Sequence, residues 1–425
     1  MKILLLGDYS NLHWTLAEGL RRLGHEATVV SDGDYWKGYR RDVNLKRRST
    51  GRLDSLRYVW DCIRLLPRLK GYDVVQLINP LFLDLKPEKI LPFYKYIRKR
   101  NGKMFVGAFG MDYYWVKTCL DCRTFRYSDF NIGPRSRADE PQNRRLIDEW
   151  LNGAKGRLCQ RVMEDCDGIP AGLYEYFAVY WQWFPEKTRF IPMPVKQGMK
   201  NEELRMKNEE LRMKNEELRM KNESNSYSSF RGKADILHSS FQQGDRGDGG
   251  AEVLPLSGGD RGGLTFFIGI QRGRSAYKGT DVMLRALERV KAKYPERCEV
   301  VKAESVPFEQ YKRMMADSDV LLDQLYSYTP AMNALLAMAQ GLVVVGGGEP
   351  ENYEILGETE LRPIVNVLPS EDDVFLKLEN LVLHPEQIPL LKRQGLEYVR
   401  RYHDPVKVAE RYLDFWQQTP PRRQS

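Results

Sequence analysis

The sequence predicts an α/β protein of two doubly wound parallel-sheet domains that face each other across a cleft. Three observations carry this expectation. Short apolar runs alternate with helical periodicity through 1–196, the alternation restarts at 263 and continues to 425, and the stretch 197–262 follows neither pattern. Strand and helix in alternation imply parallel strands with helices on both faces.

In the first domain KILLLGD reads as a buried strand, 12–23 as a helix, EATVVSD as a second strand, 53–69 as a helix, and YDVVQLINP as a third strand. A helix over 89–100 leads to the strand KMFVGAFG; a single helix over 144–165, the turn DGIPAG and the extended TRFIPMPV follow. The second domain, 263–425, repeats the scheme. LTFFIGI, a helix over 281–294, CEVVKAE, a helix over 307–316, DVLLDQL, a helix over 331–340, LVVVGGG and IVNVLP precede the C-terminal helices.

Between the domains MKNEELR occurs three times from Met199, and a fourth copy breaks off at MKNES. Its leucine and methionine do not share a helix face, so a solvated helix or disorder is expected rather than a coiled coil. The Ser-, Gly-, Asp- and Arg-rich run to 262 cannot offset the entropy of ordering. Residues 197–262 thus read as a low-complexity insert.

Composition excludes several classes. With 42% hydrophobic residues and 29% charged, the chain is neither disordered throughout nor membrane-spanning, and no run reaches the roughly 20 apolar residues of a span. The opening MKILLLGD is too short for a secretory leader, and six cysteines, with one isolated CxxC at Cys119 and Cys122, fit a reduced cytoplasmic protein better than a zinc site. The turn GDYSNL lacks the glycines of a dinucleotide fingerprint. The pair Asp32 and Asp34 matches a DxD metal-nucleotide pattern, but so do two other aspartate pairs, and no metal is expected.

The net charge of +8 is uneven, with Lys37, Arg40, Arg41, Lys46, Arg47, Arg48 and Arg52 in one loop. No nucleic-acid signature accompanies them. Together with the predicted helix EKILPFYKYIRKR they suggest a peripheral contact with an anionic membrane surface at its inner face.

The loop QRGRSAYKGTD lies between the first strand of the second domain and a helix. Arg272, Arg274, Lys278 and Gly279 therefore gather at a helix N-terminus, where a diphosphate is the natural guest. Downstream, SYTPAMNALLAMAQGLVVVGGGEPENYEILGE joins a small-residue helix, a buried strand, a triple glycine and an acidic turn. Asp112, after KMFVGAFG, is a candidate for orienting an acceptor or donor hydroxyl, with a helix cap as the alternative. His13 is an acceptor-side base or hydrogen-bond partner, or a packing histidine.

YKGTDVMLRAL, LAMAQGLVVV and ENYEIL resemble the donor-binding half of retaining glycosyltransferases of GT-B fold, family-4 type; GHEATVVS, Gly110 with Asp112, and IPMPV fit the first half. The resemblance implies two Rossmann-like domains, acceptor side first, and transfer of a sugar from a nucleoside diphosphate to a saccharide or lipid-linked saccharide in cell-surface polysaccharide synthesis. It implies no cofactor beyond the nucleotide-sugar co-substrate, and a metal-independent reaction with retention. The family's paired glutamates fall here on Tyr328 and Leu336. Thr329 and Asn333 are left as neutral contacts to the donor, with Glu354 or Asp323 to replace the acidic one. Rival readings are a non-catalytic nucleotide-sugar binder and a nucleotide-sugar epimerase of the same architecture.

Overall fold

The computed structural model describes residues 1–196 except 36, and 263–420 except 272 and 305. The repeat insert lies outside the described residues. Strands β1 (Lys2–Leu6), β2 (Glu26–Ser31), β3 (Val43–Asn44), β4 (Val74–Leu77) and β5 (Lys103–Val106) form a parallel sheet in the order β3-β2-β1-β4-β5. All of β4 and four of the five β1 residues are buried, as helices on both faces require.

Three two-residue antiparallel strands follow: β6 (Tyr127–Ser128), β7 (Asn131–Ile132) and β8 (Arg135–Ser136). They are too short to leave an alternation in the sequence. The helix expected over 144–165 is two helices, Pro141–Ile147 and Ala154–Asp165, separated by a π-helical stretch, Asp148–Asn152, and Gly153. Gly153 is extended (ψ 177°), and a Cβ there would strike the Glu149 carbonyl, so the helix is interrupted at that point. The strands β9 (Ile169–Ala171) and β10 (Thr188–Phe190) pair in parallel, and β9 reaches β5 through Val106 N–H to the Gly168 carbonyl, 3.1 Å.

The second sheet takes β11 (Leu264–Ile270), β12 (Cys298–Glu304), β13 (Val320–Leu322), β14 (Val343–Gly346) and β15 (Ile364–Asn366) in the order β12-β11-β13-β14-β15, all parallel. In each sheet the strand order reverses beside the domain's first strand, which places ligand crevices at the loops after β1 and β11.

The C-terminal helix, residues 405–418, packs on the first sheet's side: Val408, Ala409, Tyr412, Phe415 and Trp416 meet Leu16, Ala17 and Leu20 of the helix Leu12–Arg22. Gly19 has no side chain where the Pro405 carbonyl passes, and the Phe105 and Phe415 rings meet at 5.2 Å. In the helix Pro87–Arg100 the apolar Ile90, Tyr94 and Ile97 are buried in the first-domain core.

Candidate functional site

The loop after β11 turns at once into two helices, Ser275–Lys278 and Thr280–Lys293, with Gly279 between them. Gly279 has φ +72°, and a Cβ would meet Leu325 and Tyr326, so glycine is required by both backbone and packing. Lys278 makes no ion pair among the described residues. Burial lowers its pKa most; Arg274 and Lys37 lower it further, and Asp323 opposes them. Lys37 comes from the first domain, where it is itself paired with Asp34 (2.6 Å), so a cation of each domain acts on Lys278. Such an arrangement is costly alone and is relieved by an anion. Arg272 lies outside the described residues.

Asp323, just beyond β13, is buried, and burial raises its pKa against the pull of Lys278. Asn333 donates to Asp323 (3.1 Å) and accepts from Tyr311 Oη (3.0 Å). Asn333 is thus linked to Lys278 through Asp323.

Thr329 is placed differently. Its hydroxyl donates to Glu175 Oε2 (2.5 Å), while Glu175 Oε1 accepts from Tyr328 N (2.6 Å), Thr329 N (3.1 Å) and Ser327 Oγ (2.9 Å). Glu175 belongs to the helix Tyr174–Trp183 of the first domain. Tyr328 packs with Phe125, Tyr127 and Tyr174 (centroids 4.8–5.9 Å), so one position of the family's glutamate pair is an interdomain aromatic contact. Leu336 packs against the adjoining core.

The β6–β8 excursion completes the clasp. Tyr127 Oη donates to Glu349 (2.6 Å), and Arg126 pairs with Glu349 (2.9 Å) and Glu351 (2.5 Å). Arg137 donates to the Ala276 carbonyl (3.3 Å) and lies 4.3 Å from the Tyr326 ring centroid. Asp129 takes a hydrogen bond from Trp115 (3.1 Å) and faces Tyr277; burial raises its carboxyl to about 6. Glu175, Arg126 and Tyr127 escaped the sequence reading. The only local signal was a carboxylate inside the aromatic run YEYFAVYWQW.

On the first-domain side, the loop after β1 is tied to itself. Asp8 accepts from His13 N (3.0 Å), and His13 Nδ1 lies 2.6 Å from the Gly7 carbonyl. A carbonyl only accepts, so Nδ1 carries the proton and Nε2 offers a lone pair. His13 Nε2 is buried without a partner, and burial lowers the ring's pKa to about 4; burial also raises Asp8 to about 8. Asp34 accepts from Lys37 (2.6 Å) and from Ser10 N (2.9 Å).

Asp112 takes the helix-cap place that the sequence left open beside the hydroxyl-orienting role. One carboxylate oxygen accepts from Trp115 N (3.0 Å), capping the helix Tyr113–Cys119, and the other accepts from Tyr180 Oη (2.6 Å). Burial raises its pKa to about 6. Both oxygens are engaged in the fold, and Asp112 is not carried forward as catalytic. Glu354 is exposed on the helix Pro350–Leu356 and borders a cavity of about 640 Å³ with Tyr353, Arg362 and Asn366. Among the described residues no group of three His, Cys, Asp or Glu is placed to hold a metal ion.

No family model and no curated protein matches the sequence. Solved structures do. Sucrose-phosphate synthase from Thermosynechococcus elongatus superposes with a TM-score of 0.54 at 11% identity, over 98% of this chain and 99% of that one. The fold is GT-B. Anabaena HepE, solved in complex with UDP-glucose, agrees at a TM-score of 0.52 and 11% identity, over 98% and 99% of the two chains. At such identities the likeness is one of fold. In GT-B terms Lys278 lies on the second Rossmann-like domain and His13 on the first.

Proposed function

We propose that the chain is a glycosyltransferase that moves a sugar from a nucleoside-diphosphate donor to a saccharide or lipid-linked saccharide acceptor, with retention and without a metal, in cell-surface polysaccharide synthesis. The observation that carries the reading is Lys278 at the turn fixed by Gly279, with no ion pair among the described residues and the charges of Arg274 and Lys37 acting on it. HepE, of the same fold, was solved with a donor of this chemistry.

In the reaction the bond from the anomeric carbon to the diphosphate oxygen breaks, and its electron pair stays on the diphosphate. The acceptor oxygen bonds to that carbon, and its proton leaves with the diphosphate. Negative charge grows on the leaving group, so Lys278 and Arg274 stabilise the transition state more than the bound donor. Gly279 fixes the turn that presents them. Asn333 and Asp323, linked to each other, are assigned to the donor together with Lys278, and Thr329 and Glu354 as further donor contacts. His13, neutral near pH 7 and weakly basic, is assigned to holding the loop after β1 and presenting an acceptor to a hydroxyl, rather than to removing a proton.

The test is a panel of UDP-, GDP-, ADP-, TDP- and CMP-sugars, scored by thermal shift and by released nucleotide, with and without EDTA. Release of one nucleoside diphosphate in EDTA, lost in Lys278→Ala, is the expected result. Binding without release at any acceptor would favour the non-catalytic reading, which the apolar Tyr328 and Leu336 motivate. No binding by any member would overturn both.

A further inference from the structure

The helix Arg52–Leu65 has two apolar faces, and the protein covers one. Tyr58, Cys62 and Leu65 are buried in the first-domain core. Leu53, Leu56, Trp60 and Ile63 are 83%, 66%, 59% and 45% exposed. At 100° per residue these four fall within an arc of about 80°, so they form one continuous stripe. Scattered exposed apolar residues are ordinary, whereas a contiguous stripe marks an interaction surface. No other described helix exposes more than two large apolar side chains.

The charge around the stripe selects its occupant. On the same projection Arg52 borders it on one side, and Arg57 and Arg64 border it on the other. Arg48, Arg68 and Lys70 are exposed nearby, and Asp61 is the one exposed carboxylate between 46 and 70. A second copy of the chain, meeting this face about a twofold axis, would bring arginine against arginine. A bilayer with anionic headgroups takes the apolar stripe at its acyl boundary and the guanidinium groups at its phosphates.

We propose that the helix Arg52–Leu65 docks the protein on an anionic lipid bilayer. This replaces the helix Pro87–Arg100 as the membrane face and narrows the basic loop's part: Arg41 and Lys46 are spent on the Tyr39 and Tyr35 carbonyls, while Arg48 and Arg52 remain exposed. The loop that starts the helix also carries Lys37 and Tyr39, and Tyr39 packs on Phe308 of the second domain at 5.2 Å. Docking therefore holds the acceptor side of the cleft at the bilayer, and on the transferase reading that favours a lipid-linked acceptor.

The test is sedimentation of the full chain with phosphatidylcholine vesicles, with and without phosphatidylglycerol, at low and high salt. The expected result is binding to the anionic vesicles alone, weakened by salt, with a blue shift of tryptophan emission that is absent in Trp60→Ser. The paired substitutions Leu56→Ser with Trp60→Ser, and Arg57→Glu with Arg64→Glu, should each lower the bound fraction by about tenfold or more at an unchanged unfolding midpoint. Equal binding by these variants, no sedimentation of the parent, or a dimer that the same substitutions dissociate would overturn the proposal. The assay contains no donor, so its failure leaves sugar transfer standing, and an inactive protein leaves the docking face standing.

Discussion

The loops after β1 and β11 occupy the same place in two similar sheets, and their charges are used in opposite ways. After β1, Asp8 is closed upon the N–H groups of His13 and Trp14, and His13 upon the Gly7 carbonyl. After β11, Lys278 makes no ion pair among the described residues, and burial together with Arg274 and Lys37 presses its pKa down. A loop whose polar groups satisfy one another holds its own shape. One that gathers like charges stores an attraction for something else. Removing a group should therefore lower stability in the first domain and rate in the second.

The largest effect is expected at Lys278. Lys278→Ala should lower turnover by roughly 10²- to 10³-fold, the range for removing one transition-state charge contact, with the unfolding midpoint held or raised. A lower midpoint would show that the lysine serves the fold and would erase the contrast. Next comes Glu175, which holds four donors of 327–329. Glu175→Ala leaves buried N–H groups unpaired and should cost about 3 kcal/mol in urea unfolding.

Asp112→Ala removes a cap and a partner of Tyr180 and should cost about 2 kcal/mol. Its turnover per folded molecule should stay at the parent's value; a hundredfold loss would return Asp112 to the catalytic set. Arg126→Ala should cost under about 1 kcal/mol, because its side chain is 55% exposed and solvent screens its two ion pairs. The smallest effect is a pH dependence. His403 is buried and its pKa lowered to about 4, so between about 4 and the ordinary 6.5 the unfolded chain binds the proton and the native one does not. The stability difference between the parent and His403→Gln should shrink as pH falls through that window, read from urea midpoints at each pH.

The sequence made the second sheet and four strands of the first legible because each is a local apolar run between turn residues, whereas β3, two residues inside the basic loop, left no such run; the Lys278 loop was legible because its cations and glycine are neighbours in the chain. The interdomain clasp was not legible. Glu175 meets Thr329 and Arg126 meets Glu349 across distances in sequence that no local pattern spans. Thr329 was expected at the donor because its neighbours are; its hydroxyl instead serves a glutamate of the other domain. Asp112 shows the converse, since a carboxylate after a strand looks the same in sequence whether it faces a cleft or a helix N-terminus. That the helix 405–418 packs on the helix Leu12–Arg22 was not legible, because its apolar stripe fits a helix nearly four hundred residues earlier as well as a nearby one.

The two places where the chain crosses between the domains are bonded to each other. Val195 N donates to the His403 carbonyl at 2.9 Å, and His403 Nδ1 meets the Met193 carbonyl at 2.8 Å. Tied in this way, the outgoing and the returning crossing form one seam, so a change at Met193 or Val195 is also a change at His403.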